Sequence, residues 1–306
     1  MRCRRHRPSR LCPRQTCGIV NPEAPVAVKL ILADIDRTIL PEGERSVSAR
    51  TVAAFHAARD AGIHVGPASG RGHAWMPSLF GGDERCCETC IATNGNQVFL
   101  DGRKLREAHF DEESLAVVAA CVRDIGGAGL IAFDGATPVL VEGRLEDLEP
   151  IFPAYADACR SDGDGGPVGL SGLSATKANV FMGADGRRAD ERATRDLVAM
   201  LNRDIPGLDF DFPELGYVNV MPEGWNKASG IDCLVEALGI SLDEVVVFGD
   251  AGNDLSMFAH VPDSVAVANA TEEAAAAARW HIGACRDDAV AAAIEALVRG
   301  EWPFVG

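Results

Sequence analysis

The stretch "VKLILADIDRTIL", residues 28–40, decides the fold. It runs through five mostly apolar residues and then places two carboxylates, Asp34 and Asp36, two positions apart. A continuous apolar run without alternation is what a strand buried on both faces requires, as in a parallel sheet covered by helices. Acids at the end of such a strand either sit in a solvated loop or project into a cleft. Side chains at i and i+2 of a strand share a face, so Asp34 and Asp36 would project together unless a turn begins at Ile35. Two close carboxylates repel and need a cation or a proton between them.

Outward from this stretch, strand and helix signals alternate. "SARTVAAFHAARDAG" (48–62) has a Ser start and a Gly stop and reads as a helix. "IHVGPAS" (63–69) reads as a second strand, "GHAWMPSLFGG" (72–82) as a second helix, and "CIATNGNQVFL" (90–100) as a third strand running into a turn. Near the C-terminus, "DCLVEALG", "EVVVFGD", "LSMFAHV", "SVAVA", "TEEAAAAARW", "HIGA" and "DDAVAAAIEALVRG" continue the alternation. That pattern predicts βαβ units and an α/β, Rossmann-like parallel-sheet core. The middle differs: helix, hairpin ("GLIAFD" and "TPVLVEG"), helix, strand ("KANVFMG"), helix, strand ("LDFDF"). It reads as an inserted α+β unit. The expected division is a basic extension at 1–26, core at 27–106, an inserted cap at 107–212, and core again at 213–306.

Composition bounds the function. With 306 residues, 47% of them apolar and 24% charged, the chain has room for two domains. A formal net charge of −16 argues against a nucleic-acid partner held through phosphates. No apolar run approaches a membrane span, and a cytoplasmic protein acting on small molecules is expected. Residues 1–26 hold six Arg and one Glu and lack a signal peptide's apolar region. They read as an extension outside the fold, of the kind an upstream start codon yields, with a docking tail as the alternative. Ten Cys show no disulfide framework. "CCETC" at 86–90 lacks the second ligand pair of a zinc site and reads as reduced loop thiols.

Four features fall at the ends of expected core strands, where open parallel sheets bind ligands. The first is Asp34-Ile35-Asp36-Arg37-Thr38. The second is Ser69 in "GPASGRG", a hydroxyl followed by Gly70 and an expected helix start, which suits an anion or simply a cap. The third is Lys227 in "MPEGWNKASG", which alone could be a surface lysine. The fourth is "VVFGDAGNDLSMF", where Asp250, Asn253 and Asp254 follow an all-apolar strand.

This ordered set resembles the haloacid dehalogenase superfamily, and within it the Cof-type sugar-phosphatase-like hydrolases with a large α/β cap. "DIDRT", "ASGR", the Lys before a helix and "GDAGND" carry the resemblance over most of 27–306; "TNGNQV" (93–98) and "VANATEEAAAAA" (267–278) extend it. The resemblance implies a Mg²⁺-dependent phosphatase of a small phosphorylated metabolite. Asp34 would be the nucleophile and pass through an aspartyl phosphate. Asp36 would be acid and then base. Ser69, Gly70, Lys227 and Asn253 would meet the phosphate. Asp34, Asp36 (through its backbone carbonyl), Asp250 and Asp254 would hold or support the metal. Chemistry agrees: a carboxylate attacking a phosphate dianion needs a hard divalent cation and positive charge at phosphorus. Two departures stand out, Arg37 where Gly is usual and Ser69 where Thr is common. Arg37 should cost about 1 kcal/mol if its φ is positive. A sugar phosphomutase and a non-catalytic phosphate-binding module are the rival classes. The exact substrate and the oligomeric state are left open.

Overall fold

The computed structural model describes residues 27–184 and 186–304. The basic extension at 1–26 lies outside the described residues. Two large sheets organise the chain. In the first, five parallel strands run in the order β14 (Trp280–His281), β13 (Asp263–Ala266), β12 (Val245–Gly249), β1 (Leu30–Ala33), β2 (His64–Pro67). The opening apolar run is therefore the sheet's middle region, with partners on both sides. Leu30 and Leu32 face one layer, with Ile231, Leu234 and Met257. Ile31 and Ala33 face the other, with Phe55 and Ile294. Period-2 alternation thus buries every residue of β1, which is why the run shows no polar positions. Helices Ala49–Asp60 and Ala289–Val298 pack together on the second of these faces.

The second sheet is antiparallel, in the order β10 (Leu208–Glu214), β11 (Tyr217–Pro222), β8 (Ala175–Ala184), β6 (Ala128–Asp134), β7 (Thr137–Glu142), with β9 (Arg187–Arg188) paired to β8. Helices Glu112–Val122 and Glu191–Asp204 cover one face through Leu115, Val118, Leu197 and Leu201. The opposite face carries Phe133, Phe181, Tyr155 and Tyr217. The chain thus has the α/β architecture of a parallel-sheet core with an inserted α+β cap.

Several local expectations change. "CIATNGNQVFL" is not one strand of the parallel sheet. It folds as β3 (Cys90–Ala92) and β4 (Gln97–Leu100), which form a small antiparallel sheet with β5 (Arg103–Glu107). The stretch Thr93–Gly95 has left-handed backbone at all three residues, which reverses the chain. "GHAWMPSLFGG" yields only short turns of helix, His73–Trp75 and Met76–Leu79. The helix expected over 145–161 is split into Leu145–Leu148 and Pro153–Ala158, with the proline at the start of the second piece, where its missing N–H costs nothing. The sequence reading also ended the inserted unit at 212. Strand β11 lies past that point and pairs with β10 and β8, so the second sheet runs on to Pro222. Cys86, Cys87 and Cys90, read as loop thiols, are buried in the core cluster. No described helix is long and apolar enough to cross a membrane.

Candidate active site

Asp34 directly follows β1 and continues its ladder, its N–H donating to the Phe248 carbonyl. The chain then turns at once. The Ile35 carbonyl accepts the N–H groups of Thr38, Ile39 and Leu40, and Arg37 N–H donates to the Leu40 carbonyl. Arg37 takes φ 61°, the left-handed region that favours glycine. This turn separates the two acids that the strand reading placed together. Asp34 is buried, whereas the Asp36 side chain is 41% exposed and held in a two-point fork by Arg71, at 2.7 and 2.8 Å. The shared-face expectation therefore fails for a local reason: strand geometry stops one residue too early.

Around Asp34 lies a buried charge cluster drawn from three distant segments. Lys227 is wholly buried and donates to Asp34 Oδ1 at 2.7 Å and to Asp254 Oδ1 at 2.6 Å. Asp254 Oδ2 in turn accepts the N–H groups of Asp250 and Ala251. Thr38 donates its hydroxyl to Asp250 Oδ1, while Asp250 Oδ2 is buried with no hydrogen-bond partner among the described residues. The nearest cation to that oxygen is Arg37, with Nε at 3.6 Å.

Local sequence explains the convergence. Asn226 caps helix Lys227–Leu238 in a reciprocal box with Ser229, which seats Lys227 at the first helical position. Gly95 lets the preceding turn press against that cap; a Cβ there would stand 2.3 Å from the Asn226 carbonyl oxygen. Gly249 does the same for Asp254, since a Cβ would lie 2.5 Å from its carboxylate. These two contacts give the "TNG" and "GD" stretches a steric reason.

The electrostatics call for a proton or a cation among the acids. Three buried carboxylates face one ammonium. Burial, with Asp254, pushes the Asp250 carboxyl up to about 7. Burial pushes Asp34 well up, against the pull of Lys227, with Asp254 and Asp250 adding to the rise. Burial works against the Lys227 ammonium, but Asp254 and Asp34 overcome it and hold the lysine protonated. Carboxylate oxygens of Asp34, Asp250 and Asp254 lie within 4.8 Å of one another. The donors are hard oxygens and one Asp250 oxygen is orphaned, so the residues fit a divalent cation of the Mg²⁺ type. Both Asp254 oxygens are already engaged, which makes it a support for Asp250 and Lys227 rather than a free ligand. The Asp36 carboxylate stands outside this trio, on Arg71.

Ser69 follows β2 and is buried. Its N–H donates to the Ile91 carbonyl, and its hydroxyl accepts the Arg71 N–H at 3.2 Å. No long helix starts beyond Gly70, so the helix-terminus argument for an anion site does not hold here; the hydroxyl itself lines the cavity. Asn253 also lines it, and its amide donates to Asn94.

The cavity above Asp34 and Ser69 has a second wall that sequence reasoning missed. Cap residues Phe152, Tyr155, Lys177, Tyr217 and Asn219 line it together with core residues Asp34, Asp36, Ser69, Arg71, Asp250 and Asn253. Lys177 is 5% exposed and reaches across to donate to the Gly70 carbonyl at 2.7 Å. Burial, with Arg71 nearby, pushes its ammonium down to about 7. Asn219 donates to Asp211 Oδ1, whose carboxyl burial pushes up to about 6. A signal existed: in "ATKANVF", Lys177 and Asn179 stand two positions apart, the spacing of one strand face. Arg71, inside "ASGR", is mostly buried, on Asp36.

Comparison with known proteins adds the following. The sequence profile of the haloacid dehalogenase-like hydrolases matches residues 31–151 and 174–294. A 5-amino-6-(5-phospho-D-ribitylamino)uracil phosphatase of Escherichia coli is 25% identical over 301 residues, covering 91% of this chain and 99% of that protein. A phosphoglycolate phosphatase of Halorubrum lacusprofundi is 30% identical over 172 residues, covering 56% of this chain and 68% of its own. A solved subclass IIB sugar phosphatase superposes with a TM-score of 0.71 at 22% identity, over 88% of this chain and 98% of its own; it speaks for the fold.

Proposed function

The chain belongs to the haloacid dehalogenase-like hydrolases, and on that premise we propose that it is a Mg²⁺-dependent phosphatase of a small phosphorylated metabolite, working through an aspartyl phosphate on Asp34. The observation that carries this reading is the buried Lys227, gripped by Asp34 and Asp254 beside an Asp250 oxygen with no hydrogen-bond partner among the described residues. The relatives named as phosphatases support the reaction class. The cap is taken to extend from the end of β5 to Pro222, following the second sheet.

The geometry supports a role for each residue. Lys227 holds one Asp34 oxygen, which orients the carboxylate and leaves the other for phosphorus. An ammonium has three N–H donors, and among the described residues Lys227 uses two, which supports a phosphoryl oxygen as the partner of the third. The Ser69 hydroxyl is a second phosphoryl contact. Asp34 and Asp250, with the backbone carbonyl of Asp36, would hold Mg²⁺, which when bound offsets the repulsion between carboxylate and phosphate dianion. Asp36 serves as acid to the leaving alcohol and then as base to water. It must first leave the Arg71 fork, and substrate oxygens that take up the Arg71 donors would release it. The covalent intermediate divides hydrolysis into two easier displacements. The seven described cysteines are all free, which supports the cytoplasmic setting expected from sequence.

The test is phosphate release from p-nitrophenyl phosphate with and without Mg²⁺. Turnover should vanish on chelation and return with the metal. Asp34→Asn should abolish it, by three orders of magnitude or more, while the circular dichroism spectrum is retained. A turning-over Asp34→Asn enzyme would sink the proposal.

A further inference from the structure

A second cluster of metal-ligating side chains lies apart from the cavity above Asp34 and shares no residue with it. Helix Ala49–Asp60 carries His56, and the 3-10 turn Glu84–Cys87 with its cap supplies Asp83 and Cys86. An imidazole nitrogen of His56, a carboxylate oxygen of Asp83 and the Cys86 sulfur all lie within 4.8 Å of one another. "CCETC" has no second ligand pair at finger or ribbon spacing along the chain. The fold supplies one from elsewhere, a histidine from the preceding helix and the acid that caps the turn.

The turn holds these donors in place. Asp83 Oδ1 accepts the Arg85 N–H at 3.1 Å, which leaves Oδ2 for His56 Nε2 at 2.6 Å. Residues three apart in a 3-10 turn stand on one side of it, so Cys86 and Asp83 face the same way. Cys86 is wholly buried, whereas the His56 and Asp83 side chains are 25% and 29% exposed. The sulfur is thus the floor of the cluster and the other two donors its rim, open to an ion from solvent. The Arg59 guanidinium, on the same helix as His56, is drawn off to the Arg85 carbonyl and the Glu88 carboxylate.

The donor chemistry selects the ion. One nitrogen, one sulfur and one oxygen suit Zn²⁺, whereas Mg²⁺ takes oxygen ligands. Three protein ligands leave the fourth tetrahedral position to water. His56 Nδ1 is buried and has no hydrogen-bond partner among the described residues, so the bond to Asp83 alone does not satisfy the ring. Burial pushes the Cys86 thiol up to about 12, and a bound cation offsets that. The thiol proton passes to solvent as the sulfur–metal bond forms.

We propose that His56, Asp83 and Cys86 form a Zn²⁺-type site, separate from the Mg²⁺ site at Asp34 and Asp250, that fastens helix Ala49–Asp60 to the turn Glu84–Cys87. The inference is independent of the phosphatase reading. The chain beyond this turn leads to Thr89, which supports β2 directly: a Cβ at Gly66 would stand 1.6 Å from the Thr89 carbonyl oxygen. Strand β2 delivers Ser69 to the cavity, so an ion at the new site stiffens the strand's support without touching substrate.

The experiment titrates the full chain with Co²⁺, the spectroscopic stand-in for Zn²⁺, in excess Mg²⁺ and a phosphine reductant. A near-ultraviolet sulfur-to-cobalt charge-transfer band should grow to one equivalent, and Zn²⁺ should displace it. The acids around Asp34 hold no sulfur and cannot give this band, so Asp34→Asn should keep it. His56→Gln and Cys86→Ala should lose it and bind Zn²⁺ at least tenfold more weakly, the smaller end of what even an outer-sphere partner costs. Zn²⁺ should raise the melting temperature of the wild type and not that of His56→Gln. His56→Gln keeps an amide donor for Asp83 at a partly exposed position, so its fold is expected to stand even where Cys86→Ala fails, and a metal-free melting curve checks both. A wild type without the band overturns the inference. A band that persists in folded His56→Gln, or that disappears in Asp34→Asn, places the ion on other groups and overturns it too. Each of these outcomes leaves the phosphatase reading untouched, since none reads turnover.

Discussion

At Arg37, one residue carries both a backbone cost and an electrostatic role. Its φ of 61° costs an L-residue about 1 kcal/mol relative to glycine. Against that, its carbonyl accepts the Asn269 amide, its guanidinium donates to the Asn269 carbonyl, and its Nε stands 3.6 Å from the orphaned Asp250 oxygen. The side chain is half-exposed, so these contacts are worth little more than the strain. Arg37→Gly should therefore change stability by less than about 1 kcal/mol. It should also lower the Mg²⁺ concentration for half-maximal activity, because a competing cation leaves Asp250. A titration that shows an unchanged or higher Mg²⁺ requirement would contradict this assignment. Asp36 shows the complementary lesson: its identity was legible, but the turn at Ile35 sent it to Arg71 instead of the acid trio.

Among the elements, the turn after β12 is the one on which the site depends. Strand β12 ends at Gly249, and the chain then winds so that the Asp254 carboxylate receives two backbone N–H groups and Lys227. The approach is too close for a Cβ at 249. Gly249→Ala should push Asp254 off these donors and destabilise the fold by about 1–3 kcal/mol through overpacking, with a further loss of activity as Lys227 shifts. Chemical denaturation measures the first and phosphate release the second. A fully stable, fully active Gly249→Ala protein would show that the turn is more forgiving than its contacts indicate. The "TNG" turn acts likewise at the other side of Lys227, by letting Gly95 touch the helix cap.

Across the whole molecule, the cap completes a cavity that the core alone leaves open. Asp211, on β10, is one group that feels this junction, and its burial gives a pH signature. Its carboxyl keeps its proton in the folded protein up to about pH 6, whereas the unfolded chain releases it near 3.8. Between those values the folded state binds more protons than the unfolded state. Wild-type stability from this group is thus lost as pH rises through the window. Asp211→Asn retains an acceptor for the Asn219 amide and has no such loss. The melting temperature of Asp211→Asn relative to wild type should rise between pH 4 and pH 7. A constant difference across that range would mean that Asp211 is well solvated.

The architecture and the core acids were legible in the sequence because both depend on local order. Burial on two faces writes a continuous apolar run, and a ligand-binding loop after such a strand writes its acids immediately behind it. Asp34, Ser69, Lys227, Asp250 and Asp254 could be picked out that way, and the structure gathers all five around one cavity or its buried support. The strand β11 escaped, and with it the true extent of the second sheet, because "YVNVMP" follows a proline-containing bulge and carries a polar Asn on its buried face. Lys177, Tyr217 and the Arg71 fork escaped for a different reason. Whether a lysine in a strand faces water or a cavity depends on which sheet face the core covers, and that is set by contacts between residues more than a hundred positions apart. The sequence determined which side chains were available for chemistry, and only the packing of cap on core decided which of them meet.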